Sequence, residues 1–458
     1  MKNMTLNQVA EACKGKLIYP ENYEVNKEKE IAGVVTDNRQ IEKDFLFIPI
    51  VGAKVDAHDF IPDAFEKGAY ACLSQKELKG VKGPYILVED TPTALKQIAA
   101  CYRRQLEIPI IGVIGSVGKT STKEMIASVL STKLEVLKTE GNFNNEVGLP
   151  LTICRIRDNH QAAVVEMGIS DFGEMHRLGE IARPDFVVMT NIGQCHLEFL
   201  HDRDGILRAK TEVFEHMPKD GVVILNGDDD KLACADTLGL KAVYYGRSDE
   251  EIRADEVATD VTGTKASIHT PAGDISVKIP LPGEHNVMNG LAATAVGLQL
   301  GLSIPDISEG LNHAKTISGR NNLISVGGIT IIDDCYNANP VSMKASIEVL
   351  GKATGRTVAV LGDMGELGED EIALHAGLSA AIEDNRIGML FTVGPLSENI
   401  NKALTKRDSS CMCYHYENTE ELLKDLLPIL SAGDTVLVKA SHFMNFSVVV
   451  EAIKKRFE

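Results

Sequence analysis

The chain has 458 residues, of which 44% are hydrophobic and 24% are charged. A chain of this length and ordinary composition typically folds into about three globular domains. The formal net charge of -18 argues against a nucleic-acid-binding protein, because such proteins need a basic face to neutralise phosphates. An anionic small-molecule substrate is compatible with this charge, since a local basic pocket can lie in an acidic protein.

The nine cysteines are scattered, and no two of them have the two-residue spacing of a zinc knuckle or a redox motif. We interpret Cys411 and Cys413 as thiols that line a core, and free thiols fit a reducing cytosol. The N-terminus lacks the apolar segment of a signal peptide, and no run approaches the roughly 20 apolar residues of a membrane span. We therefore expect a cytoplasmic protein with no membrane insertion, and separately we expect a monomer.

The first 90 residues mix short apolar runs with turns, which indicates a small α/β domain. Strands are predicted at residues 31–36, 45–51 and 85–88. Thr91 and Pro92 then precede a helical pattern over residues 94–106. Proline suits the first turn of a helix, because its missing N–H group would be unpaired there anyway.

From residue 108 the pattern changes to apolar strand, glycine turn and helix. The continuous apolar run at 108–114 predicts a strand covered on both faces, and the helical spacing at 125–130 predicts the helix that follows it. Further strands are predicted at 162–165, 186–189 and 222–225. Alternation of strands with helices indicates a parallel sheet with crossover helices, and we assign this sheet to a central domain of residues 91–315.

A domain boundary is predicted within the helix and polar stretch of residues 303–318. Beyond it, strands are predicted at 329–332, 357–361, 389–393 and 435–438, again with helices between them. Residues 316–458 are therefore predicted to form a second doubly wound, Rossmann-like domain. The expected fold class is α/β with three domains, of which residues 1–90 form the first.

The sharpest motif is Gly115-Ser116-Val117-Gly118-Lys119-Thr120, which lies between a predicted strand and a predicted helix and is followed by Ser121. A glycine-rich turn lets backbone N–H groups approach phosphate oxygens, and the helix N-terminus adds positive potential. Lys119 can reach the outer phosphates, and the Thr120 hydroxyl can ligate Mg²⁺. The motif predicts a P-loop-like domain that binds ATP with Mg²⁺.

The loop lacks the first glycine of a standard Walker A motif, which would stand at Val113. Its shorter Gly-x-x-Gly-Lys-Thr form, together with several other segments, resembles the Mur ligase family, and folylpolyglutamate synthetases carry the same short form. The other segments that carry the resemblance are residues 36–39, 52–58, 142–150, 166–168, 191–198, 209–212, 283–290, 319–320, 333–340 and 361–368. The resemblance therefore extends over nearly the whole chain.

The resemblance implies a magnesium site beside the phosphate loop. Glu166, at the end of a predicted strand, matches the family's metal-binding glutamate, and His196 matches a histidine near a second Mg²⁺. Lys210 matches a lysine that becomes carbamylated, which would let it bind both metals as an anion. Thr120, Glu166, His196 and carbamylated Lys210 are thus the expected metal ligands, and Lys119, Lys210, His196 and Glu166 are the expected catalytic residues.

The resemblance also implies where the nucleotide and the substrates bind. Asn289 is expected near the adenine, Asp334 is expected to accept hydrogen bonds from the ribose, and Arg320 is expected to stabilise phosphate charge from the last domain. The expected nucleotide contacts are Gly115, Ser116, Val117, Gly118, Lys119, Thr120, Ser121, Asn289, Arg320 and Asp334. The expected substrate contacts are Arg39, Asn144, Asn145, Asn191, Tyr336, Asn337 and Asn339. Such a composite site would require domain closure for catalysis.

Within the family, the segments 336–340 and 361–368 resemble the branch that adds D-alanyl-D-alanine to UDP-N-acetylmuramoyl-tripeptide. The implied reaction is amide formation through an acyl phosphate made from ATP. It would serve peptidoglycan biosynthesis, and through it cell shape and division. The implied partners are these small molecules, without nucleic acid.

Three departures from the family pattern keep alternatives open: Val117 stands for a common Asn, Ile114 for a usual Thr and His442 for a usual Arg. One alternative is another amino-acid ligase of the family, although the Asp-Asn-Pro-Arg motif of the diamino-acid-adding enzyme is absent from the last domain. The other alternative is a non-catalytic phosphate-binding scaffold. Retention of the loop lysine and the expected metal ligands argues against a scaffold, which needs none of them.

Overall fold

The computed structural model describes residues 1–315, 319–407 and 409–458. These residues contain three separate β-sheets with helices packed around them. The predicted α/β fold class with three units of parallel-rich sheet is confirmed. No helix in the described ranges is both long enough and apolar enough to span a lipid bilayer.

The first sheet is small and mostly parallel. Its strands are β1 (Lys16–Ile18), β2 (Val34–Val35), β3 (Leu46–Phe47), β4 (Ala71–Ser74) and β5 (Tyr85–Leu87). They lie in the order β1-β5-β4-β3-β2, with β1 antiparallel to β5. The surrounding helices are α1 (Leu6–Ala12), α2 (Ile61–Glu66) and α3 (Thr91–Arg103). Helix α3 begins three residues before its predicted start, because the Asp90 side chain accepts a hydrogen bond from the Thr93 N–H and caps it.

The second sheet has nine strands. They are β6 (Ile110–Ile114), β7 (Val136–Lys138), β8 (Ala162–Glu166), β9 (Phe186–Met189), β10 (Val222–Asn226), β11 (Lys241–Gly246), β12 (Ile252–Asp260), β13 (Gly263–His269) and β14 (Ile275–Ile279). Their order is β14-β13-β12-β11-β10-β9-β6-β8-β7. Its helices are α4 (Lys119–Leu130), α5 (Gly148–Cys154), α6 (Glu174–Ala182), α7 (Leu197–Leu200), α8 (Arg203–Thr211), α9 (His285–Gln299) and α10 (Ile304–Asn312).

Strand β6 is central to this sheet, and all five of its residues are buried. Ile110 and Ile114 pack into the core on one face, whereas Ile111 and Val113 pack into the core on the other. Both faces are therefore covered, as the continuous apolar run predicted. This placement holds the phosphate loop, which follows Ile114, at the carboxyl edge of the sheet.

The predicted parallel sheet is present, and an antiparallel extension that was not predicted continues it at one edge. In the order of the sheet, the strands from β7 to β12 are parallel to one another, whereas β13 is antiparallel to both of its neighbours, β12 and β14. In β14 the residues Ile275, Val277 and Ile279 are buried, while Ser276 and Lys278 between them are exposed. This alternation is typical of a sheet with one solvated face, and such strands carry a weaker apolar signal than β6.

The third sheet has six strands: β15 (Asn322–Val326), β16 (Ile329–Asp333), β17 (Thr357–Gly362), β18 (Met389–Val393), β19 (Met412–Tyr416) and β20 (Thr435–Lys439). Their order is β15-β16-β20-β17-β18-β19, and only the pair β15–β16 is antiparallel. Its helices are α11 (Pro340–Gly351), α12 (Glu371–Ala376), α13 (Leu378–Asp384), α14 (Glu398–Lys406), α15 (Thr419–Ile429) and α16 (Ser447–Phe457).

All four strands predicted in this last region are present, but the edge strands β15 and β19 were not predicted. Strand β19 contains Cys413, and Cys411 immediately precedes it. Both thiols are only partly buried against the core, because β19 lies at the edge of the sheet. The predicted domain limits at residues 90 and 315 stay predictions, and the end of the predicted boundary segment, residues 316–318, lies outside the described residues.

Candidate active site

A cavity of about 620 Å³ lies between the carboxyl edge of the second sheet and the third sheet's strand ends. Ligands of open α/β sheets bind at this edge. Most of the predicted site residues line it: Ser116, Val117, Gly118, Lys119, Thr120, Ser121, Asn144, Asn145, Glu166, Asn191, His196, Asn289, Arg320, Asp334, Tyr336, Asn337 and Asn339. The structure thus brings together residues that are more than 200 positions apart in the chain.

Three predicted residues do not line this cavity: Gly115, Lys210 and Arg39. Gly115 lies against Thr190, where a Cβ atom would come within 1.9 Å of the Thr190 hydroxyl, so glycine is required. Lys210 is buried on α8. Arg39 lies on the surface of the first domain with a side chain that is 83% exposed, and it pairs with Asp37.

The phosphate loop is held in shape by the strand beside it. The Asn191 side chain makes two hydrogen bonds with the backbone of Val117: it accepts from the Val117 N–H at 3.0 Å and donates to the Val117 carbonyl at 3.0 Å. Gly118 has a φ of +84°, and no side chain caps the first turn of α4. The N–H groups of this turn are therefore available to an anion. Lys119 Nζ donates to the Gly115 carbonyl at 2.8 Å, beside the same opening.

A buried carboxylate lies under the start of α4. Glu166 is 2% exposed, and its two oxygens accept hydrogen bonds from Thr120 Oγ1 at 2.7 Å and from Asn144 Nδ2 at 2.8 Å. A hydroxyl oxygen next to a carboxylate oxygen is a ligand pair that suits Mg²⁺. The residues present therefore fit a magnesium ion held by Thr120 and Glu166.

His196 joins the second and third domains at the cavity rim. It adopts a φ of +51°, and its Nδ1 atom lies 2.7 Å from a Glu366 carboxylate oxygen, although the two are not aligned for a hydrogen bond. Burial lowers the pKa of His196, and the negative charge of Glu366 opposes that effect. The sequence pattern indicates the segment around Glu366 but not this contact, because the two residues come from different domains.

Lys210 is almost fully buried, at 1% exposure. Burial lowers its pKa to about 8, the nearby Cys195 raises it, and the positive charge of Lys119 lowers it further. Part of the amine is therefore neutral near physiological pH. A neutral amine can react with carbon dioxide to form a carbamate, whereas an ammonium group cannot.

A buried ion pair that was not predicted from the sequence supports the far wall of the cavity. The buried Lys439 Nζ donates to Asp334 Oδ2 at 2.5 Å and to the Asn337 carbonyl at 3.0 Å. Ser346 also donates to Asp334 Oδ2, and the Asn321 N–H donates to Oδ1. The sequence contains one signal for this ion pair, because Lys439 directly follows the apolar run 435–438. In a parallel sheet, a charged residue at the carboxyl end of a strand lies at the edge where ligands bind.

We expect the substitution Asp334→Asn to destabilise the third domain by about 3 kcal/mol, because it leaves Lys439 buried without a counter-charge. Urea unfolding followed by circular dichroism measures the loss. The double variant Asp334→Asn/Lys439→Met removes both charges and is expected to recover most of it. A single variant as stable as the wild type would contradict the buried pair.

The predicted amide ligands also have local structural roles. Asn339 caps α11 by accepting from the Ser342 N–H, and Asn145 accepts from the Gly148 N–H at the start of α5. Asn289 Oδ1 accepts from Thr122 Oγ1 at 2.9 Å. These side chains line the cavity and are held rigid by the same hydrogen bonds.

Aromatic and cationic side chains cover the third-domain side of the opening. The Arg320 guanidinium lies 4.1 Å from the centre of the Tyr336 ring, in a cation–π contact. The Tyr336 ring lies 5.5 Å from the exposed ring of His442. His442 is outside the lining of the cavity and contacts the site only through the Tyr336 ring.

A second cavity, of about 640 Å³, lies between the first and second sheets. Val34, Val35, Thr36 and Asp37 line one side, and Asn142, Phe143, Arg155 and Arg157 line the other. Arg155 Nη1 is buried there without a hydrogen-bond partner. Asn145 lines both cavities, so they are adjacent. Arg39 was the substrate-contacting arginine predicted from the sequence, and Arg155 and Arg157 were not predicted.

Sequence models of one enzyme family match three successive parts of this chain. The Mur ligase family, catalytic domain, matches residues 30–103; the Mur ligase middle domain matches residues 113–297; and the Mur ligase, glutamate ligase domain, matches residues 319–442. The phosphate loop and Lys210 fall in the second match, and the Asp334 segment falls in the third. The three matches together cover most of the chain.

Individual relatives agree with the family models. UDP-N-acetylmuramoyl-tripeptide–D-alanyl-D-alanine ligase of Bacillus subtilis is 39% identical and that of Escherichia coli 32% identical, covering 98% and 99% of both chains. MurF from Acinetobacter baumannii is similar in structure, with a TM-score of 0.89, 31% identity and 99% coverage of both chains. MurF from Thermotoga maritima, solved with ADP, has a TM-score of 0.82, 29% identity and coverage of 93% of this chain and 97% of that one. The chain therefore belongs to the Mur ligase family.

Proposed function

We propose that this chain uses ATP to join D-alanyl-D-alanine to UDP-N-acetylmuramoyl-tripeptide, forming the pentapeptide precursor of peptidoglycan. The main observation that supports this proposal is the first cavity, where the phosphate loop and Glu166 face Asp334 and Tyr336 of the third domain. Such a cavity can hold ATP and an acceptor together. The names of the relatives, which specify this ligation, support the choice of substrates.

The phosphate loop and Lys119 would bind the triphosphate, with Asn289 and Asp334 at the nucleoside end. Thr120 and Glu166 would hold one Mg²⁺. His196 and a carbamate on Lys210 would hold a second Mg²⁺. Carbamylation would give the buried Lys210 side chain a negative charge in place of a positive one. Bound Mg²⁺ neutralises charge on the transferring phosphoryl group.

In the proposed reaction a tripeptide carboxylate oxygen bonds to the γ-phosphorus, and the bond between that phosphorus and ADP breaks. The amine of D-alanyl-D-alanine then bonds to the acyl carbon and loses a proton to solvent. The acyl C–O bond breaks, and phosphate leaves with the carboxylate oxygen. Lys119 and Arg320 stabilise the negative charge that gathers on the phosphoryl oxygens. No side chain needs to act as a nucleophile.

The second cavity would hold the UDP-sugar end of the acceptor. Its buried Arg155 Nη1 has no partner and suits a diphosphate oxygen, with Arg157 beside it. Asn145 lies where the two cavities meet, so an acceptor bound in the second cavity can extend its peptide to the γ-phosphate. Arg39 lies beside this cavity and would need to leave Asp37 to contact the acceptor.

We also propose that the protein acts as a cytoplasmic monomer. ATP and UDP-linked precursors are cytoplasmic compounds, and the free thiols fit a reducing compartment. Its product would enter peptidoglycan biosynthesis, on which cell shape and division depend.

An assay of phosphate release tests this proposal. Each reaction contains Mg²⁺, ATP, one of two UDP-N-acetylmuramoyl-tripeptides (ending in lysine or in diaminopimelate) and one of several amines. We expect release with D-alanyl-D-alanine and a product with the mass of the pentapeptide. If product forms only when the amine supplied is free diaminopimelate or another single amino acid, the chain is a different ligase of the family. ATP binding without product for any amine would favour the scaffold alternative.

A further inference from the structure

Two histidines and a glutamate converge on the surface outside both cavities. His176 lies in the first turn of α6, and Glu215 and His216 lie in the 3-10 turn Glu212–His216 that follows α8. One ligand atom from each of the three residues lies within 4.8 Å of the other two. Neither cavity includes any of them in its lining.

The spacing of these atoms matches the requirements of a tetrahedral metal. His216 Nε2 lies 3.1 Å from His176 Nδ1, and His176 Nδ1 lies 3.3 Å from Glu215 Oε2. Two ligands about 2.0–2.1 Å from a Zn²⁺ ion at the tetrahedral angle are about 3.3 Å apart. Glu215 is 58% exposed, so its side chain is free to rotate toward His216 and complete the third edge.

The backbone that presents these ligands is fixed before any metal arrives. The Glu212 carboxylate accepts hydrogen bonds from the backbone N–H groups of Gly173 and His176, which ties the start of α6 to the 3-10 turn. Gly179 leaves room for the His216 ring, since a Cβ there would lie 2.8 Å from His216 Cδ2. The two imidazoles therefore meet without rearrangement of either segment.

We infer that His176, Glu215 and His216 form a binding site for a borderline divalent transition metal such as Zn²⁺, with water in the fourth position. Two imidazole nitrogens and one carboxylate oxygen suit Zn²⁺, Co²⁺ or Ni²⁺, whereas Mg²⁺ prefers oxygen ligands alone. The metal would clamp α6 to the turn directly after Lys210 and Thr211. It would thus stabilise the segment that carries Lys210 without contacting substrate.

Cobalt binding to the full-length protein tests this inference. Excess Mg²⁺ and ADP occupy the nucleotide site, and a non-chelating reductant keeps the thiols reduced. The test variant is His176→Gln/His216→Gln. The control variant is His269→Gln. Asp255 and Asp274 lie 3.0 Å from opposite ring nitrogens of His269, so these three side chains cannot direct their ligand atoms at one metal ion. Circular dichroism establishes that each variant is folded, and the single variant His176→Gln replaces the double one if that misfolds.

We expect the wild type and the control to bind one more Co²⁺ than the test variant, with a visible spectrum of nitrogen and oxygen ligation. Zn²⁺ should displace that Co²⁺ and raise the unfolding temperature of the wild type but not of the test variant. The affinity for Co²⁺ should fall at least about 10-fold in His176→Gln, since loss of a metal ligand costs no less than loss of a residue that hydrogen-bonds to a ligand. Equal uptake by wild type and test variant, or a spectrum of thiolate ligation only, would overturn the site.

Discussion

Replacement of Lys119 by alanine is expected to lower kcat by about 100- to 1000-fold, the usual cost of removing one donor that stabilises charge in a transition state. Lys119 begins α4, and its ammonium group lies beside the uncapped N–H groups of that turn. In the proposed reaction it would meet the γ-phosphoryl oxygens as negative charge builds on them. The backbone N–H groups remain in the variant, so ATP binding should weaken much less than turnover.

Steady-state phosphate release gives kcat for this variant, and ADP titration gives binding separately. Lys133→Ala is a matched control, because Lys133 lies just beyond the same helix, is 57% exposed and pairs with Asp306. The control should keep the wild-type rate. If Lys119→Ala turned over at a similar rate to the control, the phosphate-loop assignment would be wrong.

Replacement of Lys210 by methionine is expected to lower kcat by at least about 100-fold. Methionine fills a similar apolar volume at this 1% exposed position, so the fold should survive. With a pKa of about 8, about a tenth of the amine is neutral at pH 7, against about one part in three thousand for an ordinary lysine. Carbamylation is thus favoured at this lysine over exposed ones.

The pH dependence has a definite direction. Because the pKa of Lys210 lies below its usual value, its neutral form gains as pH rises through about 8 and is lost as pH falls below it. Carbamylation at fixed dissolved carbon dioxide should therefore fall with decreasing pH. Carbon-13 NMR with labelled carbon dioxide should show a carbamate signal in the wild type and in Lys231→Met, a control that removes a half-buried lysine paired with Asp204 on α8, the helix that carries Lys210. A signal that persists in Lys210→Met would place the carbamate elsewhere.

Local signals predicted much of the fold and part of the candidate site. The phosphate loop was predictable because a strand, a glycine turn and a helix follow one another within about 20 residues, and each has its own pattern. The buried strands β6, β8, β9 and β17 were predicted for the same reason. Edge strands β15 and β19 were not, since partial exposure mixes polar residues into them.

Contacts between distant segments could not be predicted from spacing. Lys439 meets Asp334 across 105 positions, and Glu366 reaches His196 from another domain. The arginines of the second cavity were missed because their segment has no phosphate-binding motif. Conversely, Asn145 and Asn339 were predicted only as ligands. Asn339 also caps α11, and Asn145 also accepts a hydrogen bond from the Gly148 N–H, because an amide side chain can serve both purposes.

Transfer of labelled oxygen is the most direct test of the central claim, that ATP activates the tripeptide carboxylate as an acyl phosphate before D-alanyl-D-alanine attacks. The measurement is the mass of the phosphate formed when the terminal carboxylate of UDP-N-acetylmuramoyl-tripeptide carries oxygen-18. The account predicts one labelled oxygen in each phosphate, with a matching yield of pentapeptide. Unlabelled phosphate formed with the pentapeptide, or phosphate formed without it, would contradict the account.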